Sequence, residues 1–250
     1  MDKIPFTFYD FFGYLAPGFH ILAVFDYVFL KSCLFHSDKS SVAFWVLLVG
    51  GAYLLGHVTA FFSYGLYERT LIRRIFQKPA TNLFLERKKN FWTLAFGHYF
   101  ESFPRTIKLK ILKKASDEWL VISHLSEAAS SGKTFGNRDI SRQVDEDLKS
   151  IYLHAYGRVK INELAMAQQD TFLRLYGFAR NISFSSLIAT ILIVINCFLK
   201  GISSNWHWLV IFFAAFLAMF TIYLKFYRWF SREIFLAYAE LPPQKASNEG

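Results

Sequence analysis

Glycine, lysine and threonine stand together in the middle of the chain as Gly132-Lys133-Thr134, which is how a phosphate-binding loop ends. The complete motif needs another glycine five residues before the second one, in a loop between a strand and a helix. Glu127 occupies that position, and the segment before the loop has a helical pattern. The sequence therefore predicts no nucleotide phosphate site here.

Histidines and carboxylates are present, but they are scattered. His98 and Glu101 are three residues apart on a predicted helix, and His124 and His154 lie further along the chain. A zinc site needs three or four converging ligands, and no protease, hydrolase, kinase or dinucleotide signature is present. We therefore predict no catalytic residue, no cofactor and no metal site. A membrane-embedded enzyme acting on lipids is the remaining enzymatic alternative.

Long apolar runs dominate the rest of the sequence. Of its 250 residues 54% are hydrophobic and 19% aromatic. A span of the hydrocarbon core takes about 20 apolar residues. Runs of this kind lie at about 8–30, 42–64, 182–199 and 206–227. The sequence therefore predicts four transmembrane helices.

The charged residues are concentrated between the second and third runs. Residues 66–180 hold 20 of the 28 Lys and Arg residues and 12 of the 19 acidic ones. Apolar residues recur there at spacings of three and four, and from Asp139 this pattern predicts a long helix that continues into the third span. The predicted fold class is an all-α polytopic membrane protein with a helical domain inserted between spans 2 and 3. Its predicted segments are a first transmembrane hairpin (1–65), the inserted domain (66–180), a second hairpin (181–230) and a helix end with a disordered tail (231–250).

Positive charge predicts the orientation. Lysine and arginine accumulate on the cytoplasmic side of membrane proteins with short loops. The connections between spans 1 and 2 and between spans 3 and 4 carry few of them, so both termini and the inserted domain are expected in the cytoplasm. The net charge of +9 then fits the anionic inner leaflet, and nucleic acid is an improbable partner. Cys33 and Cys197 would lie near the outer face, where a disulfide between them is one alternative.

Small residues in the first two spans predict close helix packing. Ala52, Gly56 and Ala60 recur every fourth residue, which places them on one face where a second helix can approach closely. The pattern leaves open whether that helix belongs to the same chain or to another subunit. Pro17 and Gly18 interrupt the first span and predict a hinge there.

Polar groups inside or beside the spans are the remaining candidates for function. His20, His57 and Asn196 are predicted intramembrane polar residues, and such residues are rare and often functional. A set of basic residues is predicted at the membrane surface: Arg69, Arg73, Arg74, Lys108, Lys110, Lys113 and Lys114. For the four lysines, either an interfacial helix or the solvated basic face of a packed helix fits the pattern.

Three short strings carry a resemblance. Residues 12–18 read FGYLAPG, residues 175–181 read LYGFARN, and residues 228–233 read RWFSRE. Together they resemble bacterial four-span inner-membrane proteins, some of which look like components of anti-phage defence systems. The resemblance implies a bacterial inner membrane and a defence setting, and it supplies no active site.

These features predict a non-enzymatic, oligomeric membrane protein. The leading hypothesis is a membrane-perturbing, pore-like effector or sensor that is controlled through its inserted domain. The first alternative is a membrane anchor or scaffold that recruits a soluble cytoplasmic protein encoded nearby. A small transporter or channel is a further alternative, suggested by the interrupted first helix and the two-plus-two arrangement of the spans.

Overall fold

The computed structural model of the chain describes residues 11–30, 32, 34, 41–118, 122–136, 139–200 and 206–242. Most of these residues are helical. Four stretches are long and apolar enough to cross a membrane, namely Phe12–Phe29, Val42–Phe84, Gln169–Leu199 and Trp206–Glu240. The prediction of a helical protein with four such helices is confirmed. This architecture indicates a multi-pass membrane protein.

The described elements follow one another along the chain with short connections. They are a π-helical segment Phe11–Leu15, α1 (Ala16–Phe29), α2 (Val42–Ser63), a second π-helical segment Tyr64–Phe76, α3 (Pro79–Phe84), β1 (Glu86–Arg87), α4 (Phe91–Ala95), α5 (Gly97–Phe100), α6 (Arg105–Asp117), α7 (Ser123–Ser130), β2 (Thr134–Phe135), α8 (Arg142–Lys160), α9 (Glu163–Lys200) and α10 (Trp206–Glu240).

The chain divides into two compact units. The first unit consists of Met1–Arg69 and Arg174–Leu224, and the second of Thr70–Leu173 and Lys225–Gly250. The predicted boundaries at residues 66, 181 and 231 stay a prediction, and the described residues 231–242 belong to the second unit.

Local sequence explains how the helices of the first unit begin. Ser41 starts α2, because its Oγ accepts a hydrogen bond from the backbone N–H of Phe44 at 3.2 Å. Pro17 lies in the first turn of α1, directly after the π-helical segment Phe11–Leu15, and it supplies no backbone N–H to the carbonyls of that preceding turn. Further along the first unit, Val24 of α1 packs against Ala189 and Ile193 of α9.

The second unit has its own apolar core. Buried side chains from α3, α6, α7, α8 and the last turns of α10 form one cluster. Leu83, Ile111, Leu125, Ile151 and Phe235 are among its fully buried members. The spacings of three and four in the sequence are therefore satisfied by packing inside this unit.

Two short strands depart from the all-helical prediction. Glu86 pairs with Thr134 and Arg87 with Phe135 in a parallel register. Gly132 lies just before the second strand with a φ of +63°, a left-handed conformation that glycine adopts without a steric penalty. Two-residue pairings of this kind leave no alternating pattern in the sequence to detect.

The predicted continuous helix from Asp139 into the third span is wrong. The helix α8 ends at Lys160 and α9 begins at Glu163. The backbone N–H of Asn162 donates to the carbonyl of Val159 at 3.0 Å, and its own carbonyl accepts from Met166 at 3.0 Å. Asparagine favours the start of a helix, so it opens a new one at a position where the apolar spacing gives no warning.

Candidate functional site

A buried asparagine joins three helical segments of the first unit. The Nδ2 of Asn181, on α9, donates to the carbonyl of Gly13 in the first π-helical segment at 3.0 Å. Its Oδ1 accepts from Ser63 Oγ of α2 at 2.9 Å and from the Nε of Arg180 at 3.3 Å. Because Asn181 is buried, these bonds satisfy an amide that would otherwise be left unpaired in an apolar interior.

An ion pair extends this cluster. The Nη1 of Arg180 donates to Glu68 Oε1 at 2.8 Å, and the two side chains are only 12% and 16% exposed. The guanidinium also lies over the rings of Tyr64 and Tyr176, at 5.8 Å and 5.7 Å from their centroids. Charged groups among apolar spans are expensive, and where they occur they are commonly functional.

A second branch reaches α10. The hydroxyl of Tyr67 lies 3.0 Å from Ser183 Oγ, which donates to the carbonyl of Phe216 at 3.3 Å. The Tyr67 ring is fully buried and meets the rings of Phe220 and Tyr223 at centroid distances of 5.3 Å and 5.7 Å. We call the two branches together the polar network: Gly13, Ser63, Tyr67, Glu68, Arg180, Asn181 and Ser183.

The π-helical segment Tyr64–Phe76 delivers both Tyr67 and Glu68 to the polar network. π-Helical turns contain an extra residue and are frequent at functional sites. A period of 3.6 residues per turn gives no sign in the sequence that Glu68 pairs with Arg180. The sequence nevertheless pointed to other members of the polar network, because the strings at 12–18 and 175–181, which carry the resemblance, contain Gly13, Arg180 and Asn181.

The predicted small-residue face is used inside one chain. Ala52 and Gly56 are buried and Ala60 is partly buried. A Cβ added to Gly56 would overlap the backbone carbonyl of Tyr14, and one added to Gly18 would overlap the carbonyl of Ala52. The close approach therefore occurs between the first helix and α2.

The predicted hinge lies at this same contact. Pro17 and Gly18 are both buried in the first turn of α1, and Gly18 is one of the two points of closest approach to α2. In this arrangement the two residues permit tight packing, since a side chain at position 18 would hold the helices apart.

The predicted intramembrane polar residues occupy three different environments. His20 Nδ1 lies 3.0 Å from Ser185 Oγ of α9. The ring of His57 stacks on Tyr14 with centroids 4.0 Å apart, and His57 is otherwise exposed. Asn196 is buried, and its Oδ1 has no hydrogen-bond partner among the described residues. None of the three belongs to the polar network.

The predicted surface lysines do not share one face. Arg69, Arg73, Arg74, Lys110 and Lys113 are exposed, Lys114 is partly buried and Lys108 is buried. Burial lowers the pKa of Lys108, an effect that the charge of Glu86 opposes. Lys110 pairs with Glu240 at 2.6 Å. The helix α6 is therefore a packed helix of the second unit, with two of its four lysines directed at the end of α10.

A buried carboxylate in the second unit collects three donors. Glu118, whose side chain is 3% exposed, lies 2.6 Å from His154 Nε2. It accepts from Arg158 Nη1 at 3.0 Å and from the hydroxyl of Tyr238 at 2.9 Å. Lys114 donates to the backbone carbonyls of Tyr238 and of Leu241. These bonds fasten the last turn of α10 to α6 and α8.

We expect the Glu118→Gln variant to lower the free energy of unfolding of the second unit by about 1–3 kcal/mol, because a neutral amide cannot satisfy three converging donors. Thermal unfolding of the purified chain measures this loss. Glu127→Gln is the matched control, since Glu127 is exposed on α7. Equal melting temperatures for the two variants would contradict the assigned contacts.

Metal and disulfide chemistry receive no support from these contacts. Within the described ranges, no three His, Cys, Asp or Glu side chains converge as metal ligands would. Cys197 is buried in the first unit, and Cys33 lies outside the described residues, so their pairing stays a prediction.

Comparison with known proteins adds no relative. No protein-family model matches the chain, no curated protein is significantly similar to it, and no solved structure matches its fold.

Proposed function

We propose that this chain is a non-enzymatic, membrane-perturbing effector or sensor whose first unit is held closed by the polar network. The observation that carries the proposal is the polar interior of that unit. Within the first unit, α9 carries six buried polar residues among its apolar ones: Asn181, Ser183, Ser185, Ser186, Thr190 and Asn196. A helix that only anchored the chain would have no need of them, because buried polar groups are costly in a membrane.

The proposed mechanism is the opening of a leak. Loosening of the Glu68–Arg180 pair would release the links that Asn181 makes to Gly13 and Ser63. The buried polar residues of α9 would then be free to take up water and ions. A buried ion pair suits this role, since it contributes little net stability when intact and strongly disfavours the state in which one partner is lost.

The setting of this proposal comes from the sequence. We place the chain in a bacterial inner membrane, with both termini and the second unit in the cytoplasm and the exposed basic residues near the anionic leaflet. A cytoplasmic signal acting on the second unit would raise the leak above the low level of the unstimulated chain, and several copies would assemble around it. The resemblance of the three strings supports anti-phage defence as the biological context.

Expression of the chain alone in bacteria tests this function. We expect a potential-sensitive dye to report depolarisation in cells that produce the chain and none in cells with the empty vector. Unchanged membrane potential at equal amounts of folded, membrane-inserted protein would contradict the proposal.

A membrane anchor or scaffold is the second candidate. The packing of Ala52 and Gly56 favours it. These small residues could have joined several copies of the chain, but they contact the first helix of the same chain instead. In this case the spans only localise a soluble partner that binds the second unit. The cells would then keep their potential, and a soluble protein encoded nearby would co-purify with the chain.

A further inference from the structure

The short helix α4 exposes large apolar side chains on the second unit. Phe91 is 73% exposed, Leu94 86% and Trp92 38%. Phe91 and Leu94 are three residues apart, so they project from the same side of the helix. Neighbouring exposed apolar side chains of this size commonly mark a surface that meets a membrane or another molecule.

This helix is held in shape before it meets any partner. Asn90 Oδ1 accepts from the backbone N–H of Thr93 at 2.9 Å, and Thr93 Oγ1 accepts from the N–H of Asn90 at 2.7 Å, which together form a capping box. Trp92 also packs against Phe76, with ring centroids 5.5 Å apart. The exposed side chains are thus presented on a fixed support.

Basic residues adjoin the apolar face. Arg87, Lys88 and Lys89 come directly before α4, and Lys88 is paired with Asp139 at 2.6 Å. Arg87 and Lys89 line an open groove of about 560 Å³ together with Leu94. The Nη1 of Arg87 is buried and has no hydrogen-bond acceptor among the described residues.

One carboxylate also lines the groove, and it is already engaged. Glu101 Oε2 lies 3.6 Å from Arg228 Nη2, and Glu101 Oε1 lies 3.2 Å from His98 Nδ1. Arg228 therefore offsets the negative charge of Glu101 within the second unit, and Arg87 and Lys89 give the groove a net positive charge.

We propose that α4, together with Arg87 and Lys89, docks on an anionic phospholipid surface. Phe91, Trp92 and Leu94 would enter the boundary between headgroups and acyl chains. The exposed Lys89 would bind a lipid phosphate, and the positive charge of the partly buried Arg87 would strengthen that attraction. Tryptophan beside basic residues is typical of interfacial contacts. A bilayer matches both the apolar and the basic part of this surface, and the chain has four helices that are long and apolar enough to span one. The inference rests on membrane association alone and not on the proposed leak.

Depth measurement with a spin label tests this docking in the full chain. Cys33 and Cys197 are replaced by serine and alanine, and Leu94→Cys is labelled with a nitroxide in vesicles with or without phosphatidylglycerol. Collisions with oxygen, which partitions into the bilayer, are compared with collisions with a water-soluble nickel chelate. We expect the oxygen-to-nickel ratio to rise severalfold in the anionic vesicles only.

Charge variants sharpen the test. Lys89→Gln should shift the ratio of docked to undocked label about fivefold towards the undocked state, since each basic residue near such a surface contributes comparably. Lys160→Gln removes the same charge from an exposed position on α8 and should change nothing. A label that stays in water in both lipids, that is equally deep in both, or that is shielded from both reagents by protein would overturn the proposal. None of these readouts depends on ion flux, so a failed leak experiment would leave this result unaffected.

Discussion

The Arg180→Met variant should lose about 3–5 kcal/mol of the free energy of unfolding of the first unit. The substitution leaves Glu68 buried without its cation, and it removes one of the donors to Asn181 Oδ1. An apolar side chain cannot neutralise that carboxylate, whose side chain is only 16% exposed. Thermal unfolding in detergent, followed by circular dichroism, measures the loss.

A double-mutant cycle isolates the pair. Glu68→Leu combined with Arg180→Met should recover most of the lost stability, because no charge then remains buried alone. Arg174→Met is the control on the same helix, since Arg174 is exposed. If the effects of the two single substitutions simply add, Glu68 and Arg180 are not coupled and the polar network is not a unit.

The Gly56→Leu variant should fail to give a folded first unit. A Cβ at position 56 already overlaps the backbone of Tyr14, and backbone atoms cannot rotate away as a flexible side chain can. Separating the two helices would lose their packing and strain the links at Gly13, an effect of about 3 kcal/mol or more. The yield of monodisperse protein on size exclusion in detergent measures the result.

Gly51→Leu provides the matched control on α2. A Cβ at Gly51 meets nothing within 4 Å, so the same substitution should leave folding intact. If Gly56→Leu instead gave stable chains of smaller oligomeric size, the Ala52–Gly56 face would join subunits, and the contact assigned within one chain would be wrong.

The sequence predicted the apolar helices well, because a run of about 20 apolar residues matches the thickness of the hydrocarbon core. Small residues at every fourth position similarly indicate a face on which two helices approach closely. The sequence also predicted that a close helix contact would occur at Gly56. It could not identify the partner, since Tyr14 takes part through backbone atoms that any residue type would supply.

The polar network was beyond these patterns for a different reason. Glu68 and Arg180 are 112 residues apart, and a π-helical segment turns Glu68 towards its partner. The burial of Lys108 and of Glu118 could not be predicted from the sequence either, because a charged residue on a helix outside the membrane spans is expected to face water. The break at Asn162 lies inside an apolar spacing that continues through it.

Ion flux through vesicles containing the purified chain tests the central claim most directly. The double variant Ser186→Ala with Asn196→Leu removes two buried polar side chains. Ser186 Oγ and Asn196 Oδ1 have no hydrogen-bond partner among the described residues, so folding should be preserved. We predict that wild-type chains release trapped potassium and that this variant releases it severalfold more slowly. Equal release by the two proteins, or no release above that of protein-free vesicles, would contradict a leak past the buried polar residues of α9.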